Sequence, residues 1–298
     1  MKTISTVLIT LIVVAVLGAG AYYFLTKAPT PAPEAPADSM TGTPATSTPT
    51  TGPEVIGKSA GGRDITAYHY GTGDKEILLV AGIHGGYEWN TPLLAFDAMD
   101  YFAAHPEAIA ANERVTVIPV LNPDGLAKVV TLNGDGRFSA ADIPANADTT
   151  AGRFNANTVD LNRNFDCDWQ ASGTWQSKTV SGGTAAFSEP ETQAIKTYVE
   201  AHHPVAVVTY YSAAGGVYSS SCHNGVSDET KALTSLYAKA SGYKAYEDFN
   251  FYDITGDMVN WLAKTGTPAI SIVLTTHTGI EWDKNQAGIN AVLSHYAQ

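Results

Sequence analysis

Glu76-Ile77-Leu78-Leu79-Val80-Ala81-Gly82-Ile83-His84-Gly85-Gly86-Tyr87-Glu88-Trp89-Asn90-Thr91-Pro92 is the stretch that decides how this chain folds. Glu76–Ala81 is an apolar run of strand length. The glycines that follow make a turn, and Thr91-Pro92 reads as an N-cap followed by proline at the first helical position. A strand that enters a glycine-rich turn and leaves as a helix is the opening of a βα unit. His84 and Glu88, both on that turn, are placed to aim at one metal ion.

The same alternation continues outward. Val115–Val120 reads as a second strand. Ser188-Glu189-Pro190-Glu191 reads as a capping box that opens a helix to about His202. Val205–Tyr210 is a strand, and Ser227 caps a helix that Gly242 should end. Asp257–Thr265 is a short helix stopped by Gly266, Ala269–Leu274 a strand, and about Glu281–Tyr296 the last helix. Strands alternating with helices predict an α/β fold whose largely parallel sheet is covered on both faces. Such sheets carry their sites at the carboxyl ends of the strands. No internal repeat is present.

Composition bounds the rest. A chain of 298 residues, 44% hydrophobic and 15% charged, has material for one sizeable core. A formal net charge of -12 repels phosphate backbones and argues against nucleic acid as a partner. Lys2 precedes an apolar run from Ile4 to Leu25, with no charge until Lys27. Twenty-two helical residues span about 33 Å, enough to cross a hydrocarbon core. Ala19-Gly20-Ala21 has the small-residue spacing of a signal-peptide cleavage site, but Tyr22–Leu25 continue the apolar run, which favours an uncleaved anchor. Residues 28–53 are almost entirely Pro, Ala, Thr, Ser and Gly and read as a semi-extended linker. The expected organisation is an anchor or signal segment at 1–27, a linker at 28–53 and an exported, monomeric domain at 54–298.

Further polar segments follow the predicted strands: Leu121-Asn122-Pro123-Asp124-Gly125, Arg153-Phe154-Asn155-Ala156-Asn157, and Asp160-Leu161-Asn162-Arg163-Asn164-Phe165. An Arg beside an Asn makes a planar fork suited to a carboxylate. Singly, each segment also reads as an ordinary turn or surface pair. Together, in this order, they resemble the zinc carboxypeptidase family, the carboxypeptidase A-like metallopeptidases, from the His84 turn to Glu281-Trp282-Asp283-Lys284-Asn285. The resemblance implies a mixed, mainly parallel eight-stranded sheet, one zinc ion, and removal of C-terminal residues from peptides. It matches His84 and Glu88 to zinc ligands, here spaced H-x-x-x-E rather than the usual H-x-x-E. It matches Arg153 to the arginine that stabilises the oxyanion, and Asn162 with Arg163 to the pair that grips the terminal carboxylate. Tyr252 matches the tyrosine that closes over substrate. Val259 lies where side-chain preference is set, and its apolar character points to a neutral pocket.

Two positions depart from the family. Tyr211 stands where the third zinc ligand, a His, belongs, and Val273 where the catalytic Glu belongs. Valine accepts no proton, and general acid–base help is typically worth about 10²–10⁴-fold in rate. A tyrosine ligates only as phenolate, against a free pKa of about 10. His277 and Glu281, just beyond Val273, are the nearest substitutes. The expected site is a weak or lost zinc site without its base. Two function classes stay open: a binding module for peptide C-termini, favoured by the substitutions, and an active metallocarboxypeptidase with a modified site, favoured by ancestry. Cys167 and Cys222 are the only cysteines and are expected to be bridged. Asn133–Asp142 resembles half of a calcium loop, though a polar turn fits it better.

Overall fold

The computed structural model describes residues 52–131, 136–249 and 251–298. The expected membrane segment and nearly all of the linker lie outside the described residues, as do residues 133–135 of the calcium-like turn. Within that turn Asp142 serves as a local cap, its Oδ2 accepting from Ser139 N at 2.7 Å and Ser139 Oγ at 2.9 Å. Among the described residues no helix is long and apolar enough to cross a membrane.

In chain order the strands are β1 (Gly52–Lys58), β2 (Asp64–Gly71), β3 (Lys75–Val80), β4 (Glu113–Ile118), β5 (Ser172–Trp175), β6 (Lys178–Ser181), β7 (Ala206–Ser212), β8 (Gly216–Ser219), β9 (Ala245–Tyr246) and β10 (Ala269–Leu274). The α-helices are α1 (Asn90–Ala104), α2 (Pro123–Ala127), α3 (Pro190–His202), α4 (Asp228–Ser241), α5 (Met258–Lys264) and α6 (Trp282–Tyr296). Eight strands make one sheet in the order β1-β2-β4-β3-β7-β10-β8-β9, and β5 with β6 forms a separate hairpin. The centre of the sheet, β4-β3-β7-β10, is parallel. Antiparallel pairs flank it at β1–β2, β2–β4 and β10–β8. This is the mixed, mainly parallel architecture expected.

Alternation along the central strands sorts side chains to two cores. Val208 and Tyr210 of β7 and Ile270 and Ile272 of β10 pack with Leu94, Leu233, Tyr237 and Val292 from α1, α4 and α6. Val207 and Tyr211 of β7 and Ala269 and Val273 of β10 face the other side, with Ile195 and Tyr198 of α3 and Trp261 and Leu262 of α5. Fully burying one such aliphatic side chain contributes roughly 1.5–3 kcal/mol, which is why these near-continuous apolar runs become the middle of the sheet.

Two helix starts differ from the sequence expectation. The cap of α1 is Trp89, not Thr91. Thr91 Oγ instead accepts from Gly82 N at 3.1 Å and donates to Glu88 O at 3.0 Å, which closes the loop between β3 and α1 on itself. At α3 the cap is Glu189, with Pro190 at the first helical position, so no Ser188 capping box forms. Ser188 Oγ donates to Glu189 Oε1 and accepts from Asn164 Nδ2, each at 3.0 Å. At Thr91 the loop itself, and at Ser188 the distant Asn164, took the hydroxyl from the helix terminus.

Cys167 and Cys222 form the expected disulfide, which closes 55 residues of chain. It ties the segment after Arg163 to the loop that follows β8, whose Ser221 lines the cleft described below. In the chain-entropy model such a closure stabilises by about 4 kcal/mol. Cys222→Ser is therefore expected to lower unfolding free energy by roughly that amount in a chemical denaturation series. A loss below about 1 kcal/mol would show that the bridge contributes little.

Candidate active site

The carboxyl ends of β3, β7 and β10 open into one cavity of about 1050 Å³. After β3 the chain turns through Gly82 (φ +66°) and Gly85 (φ +45°) into a short 3-10 turn, Gly85–Glu88. A Cβ on Gly85 would stand 2.7 Å from Gly152 O, so this glycine lets the 82–88 loop touch the backbone of the loop carrying Arg153. The turn carries His84 and Glu88 on one short loop. It leaves His84 Nδ1 2.9 Å from Glu88 Oε1, with both side chains buried.

Behind this pair lies Asp160, to which the sequence assigned no role. Its Oδ1 stands 3.5 Å from His84 Nε2, and its Oδ2 accepts from Arg153 Nε at 2.8 Å. Asp160 is fully buried, which raises its pKa, but Arg153 and His84 outweigh burial and hold it well below the usual aspartate range. For His84, burial and the Arg153 charge act downward. Glu88 and Asp160 act upward, and the net direction is up. The Arg153 guanidinium lies over the Trp175 ring at 4.7 Å and the Tyr87 ring at 5.8 Å. Asp160 follows Arg153 by seven residues and is the carboxylate that this buried cation needs.

Tyr211 and Val273, the two positions expected from sequence to depart from the family pattern, are neighbours. Val273 of β10 and Tyr211 of β7 are register partners in the parallel ladder. Both are buried and both line the cavity. The Tyr211 ring sits 5.7 Å from the His84 ring, and its hydroxyl donates to Asn162 Oδ1 at 3.2 Å. Burial, with Asp257 and Glu88 nearby, pushes the Tyr211 pKa well above the ordinary phenol value.

The remaining site residues divide. Asn162, Tyr252 and Val259 line the cavity with Arg153. Arg163 lies behind Tyr252, its guanidinium 5.5 Å from that ring. Its N–H groups are committed to Asp253 O (2.8 Å), Thr255 Oγ (3.2 Å) and Thr174 O (3.0 Å). Asp257, read from sequence only as a helix start, caps α5 by accepting from Asn260 N at 2.8 Å and also lines the cavity. Burial raises its pKa to about 6. Of the two substitutes beyond Val273, His277 lines the cavity. Glu281 is engaged elsewhere, accepting from Thr275 N at 2.8 Å, Thr275 Oγ at 3.0 Å and Lys284 Nζ at 2.8 Å.

The donor set fits zinc at two corners and fails at the third. His84 Nδ1, His84 Nε2 and Glu88 Oε2 are buried without a hydrogen-bond partner, the 2.9 Å approach of His84 to Glu88 being badly angled for one. Zinc donor atoms in a tetrahedron stand roughly 3.3 Å apart, and a zinc-bound histidine leans its other nitrogen on a carboxylate; here Asp160 Oδ1 lies 3.5 Å from His84 Nε2 with no hydrogen bond between them. Among the described residues no third His, Cys, Asp or Glu donor joins His84 and Glu88, and Tyr211 is a hydrogen-bonded phenol. Among the described residues the one set of three metal-type side chains close together is Cys167, Cys222 and His223, whose sulfurs are in the disulfide. Among the described residues no complete zinc site is assembled, and no chemical step is derived through one.

The fold is a mixed α/β sheet with a His–Glu pair at the end of a central strand, backed by a buried Asp–Arg pair. A family model described as zinc carboxypeptidase matches residues 44–290, and the chain belongs to that family. It is 32% identical over 139 residues to human carboxypeptidase O, a match covering 44% of this chain and 34% of that protein. It is 26% identical over 149 residues to bacteriocin BCN5 of Clostridium perfringens, covering 49% of this chain and 15% of that protein. The chain thus matches about a third of one of these curated relatives and about a seventh of the other. Among solved structures, the murein-tripeptide amidase MpaA of Escherichia coli O157 aligns over 83% of this chain and 92% of its own, with TM-score 0.56 and 18% identity. The carboxypeptidase A of Helicoverpa armigera aligns over 82% and 66%, with TM-score 0.60 and 20% identity. At these identities the structural likeness concerns the fold.

Proposed function

We propose that this chain is a carboxypeptidase-fold binding protein that holds peptide C-termini in its cleft and hydrolyses them poorly or not at all. One observation supports the reading: Tyr211 and Val273, which the sequence resemblance matches to a zinc ligand and the proton acceptor, are register partners facing the same cavity. Arg153 supplies the cation for a carboxylate, with Asn162 beside it and Arg163 behind Tyr252. The protein is carried outside the cytoplasm on its N-terminal segment, a reading supported by the disulfide, which persists in oxidising compartments. The unpartnered donors of His84 and Glu88 favour one alternative, an active metallocarboxypeptidase with a modified site acting on peptides or cell-wall peptides.

Binding should depend on the free carboxylate and on pH. Above about pH 6 Asp257 is ionised in the cleft and repels an incoming carboxylate; below it, Asp257 is neutral. Affinity for a peptide with a free C-terminus is therefore expected to rise as pH falls from 7 to 5. The rise is bounded at roughly tenfold per pH unit for each proton taken up. Asp257→Asn keeps the helix cap, removes the charge and should flatten the profile. Fluorescence anisotropy of a labelled peptide, as free acid and as C-terminal amide, tests this. Equal binding of acid and amide would rule out a carboxylate site.

A further inference from the structure

A chain of fixed hydrogen bonds ends in the cleft at His277. Asn90 is fully buried, and its Nδ2 donates to Thr276 O at 2.8 Å and Gly279 O at 2.9 Å. Those two carbonyls set the amide's orientation, because the reverse would press its oxygen against both of them. Asn90 Oδ1 therefore faces Ser212 Oγ, at 3.1 Å. Ser212 Oγ also lies 3.0 Å from His277 Nδ1. The hydroxyl has one proton for two neighbours. Asn90 Oδ1 meets no other described donor, and a buried acceptor left empty is costly. Ser212 thus donates to Asn90 and accepts Nδ1–H from His277. In neutral His277 the lone pair is then on Nε2, which meets no described residue, while the ring lines the cavity, edge-on to Tyr87 at 4.8 Å.

We propose that His277 Nε2 is a preset hydrogen-bond acceptor of the cleft, and that it takes a backbone N–H of the bound peptide. The inference rests on the reading that the cleft binds peptide ends, and it adds a second recognition point to the carboxylate held by Arg153. Burial lowers the His277 pKa, and the charges of His84 and Arg153 outside the His277–Ser212 contact act the same way, against Glu88. The ring is accordingly neutral, and able to accept, near pH 7.

The test uses the full-length chain labelled with ¹⁵N-histidine, with His277→Ala to assign the resonance. The free chain at pH 7 should show His277 protonated on Nδ1 and bare on Nε2. Two probes follow: acetyl-alanyl-leucine, and the ester in which the leucine N–H is replaced by oxygen, both with a free carboxylate. The amide probe should shift the Nε2 resonance and bind about tenfold more tightly than the ester. His277→Ala should erase that difference. The comparison of amide with ester in the unmodified chain needs no variant to fold. A proton on Nε2 in the free chain overturns the proposal, as does equal binding of the two probes with Nε2 unmoved. If neither probe binds while Nε2 is bare, the peptide-binding reading has failed and this ligand assignment falls with it.

Discussion

Tyr211→His together with Val273→Glu is expected to raise hydrolysis of a peptide with a free C-terminus by at least about 10²–10⁴-fold over the unmodified chain, with zinc supplied. The reason is spatial. The two positions are paired across β7 and β10, so the restored imidazole and carboxylate would stand side by side, next to His84 and Glu88. Each single change should do far less, since ligand and base act as one unit. Tyr211→His also frees Asn162 Oδ1 from the tyrosine hydroxyl. Rates for all four proteins, measured side by side, check the expectation. An unmodified chain already as fast as the double variant would mean that another residue carries the proton.

The second large effect concerns the ion pair behind the site. Asp160→Ala leaves Arg153 buried without its carboxylate, and breaking such a pair typically costs about 3–5 kcal/mol. His84 loses its Nε2 neighbour in the same step. The variant should therefore unfold at markedly lower denaturant concentration. The pH dependence has a definite sign: the folded pKa of Asp160 lies below that of an unfolded aspartate, near 4. Its contribution is complete above that value and is lost as pH falls below it. The unmodified chain should lose stability on acidification through that range, and Asp160→Ala should show a shallower decline. A variant within about 1 kcal/mol of the unmodified chain would contradict this.

What the sequence made legible follows from how local each signal is. Ala269–Leu274 was delimited to the residue, because a strand buried on both faces is an unbroken apolar run with sharp ends. Ser227 and Gly242 bound α4 as expected, the serine accepting from Thr230 N and the glycine taking the left-handed conformation. Thr91 and Ser188 were misread, because their hydroxyls are claimed by groups distant in sequence or by the loop itself. Strands β1, β2, β8 and β9 escaped notice for a related reason. They are short or half-exposed, although Ile65, Ala67 and His69 alternate inward along β2 and could have marked it.

In the site, the turn that brings His84 and Glu88 together was readable because both residues share one short loop. The pairing of Tyr211 with Val273 depends on strand order and register, which no local window contains. The cavity role of Asp257 and the acceptor role of His277 likewise arise from loops that meet only in the folded chain. Arg163 shows the converse: its motif is intact, yet three carbonyl or hydroxyl oxygens of the neighbouring loops hold its guanidinium.

The central claim is that this member of the zinc carboxypeptidase family keeps two metal donors and has lost the third. Metal content after dialysis of the full-length chain against a mild chelator tests it most directly, by elemental mass spectrometry beside the Tyr211→His variant. The account predicts zinc well below one equivalent in the unmodified chain and close to one in the variant. A full equivalent retained by the unmodified chain would contradict it.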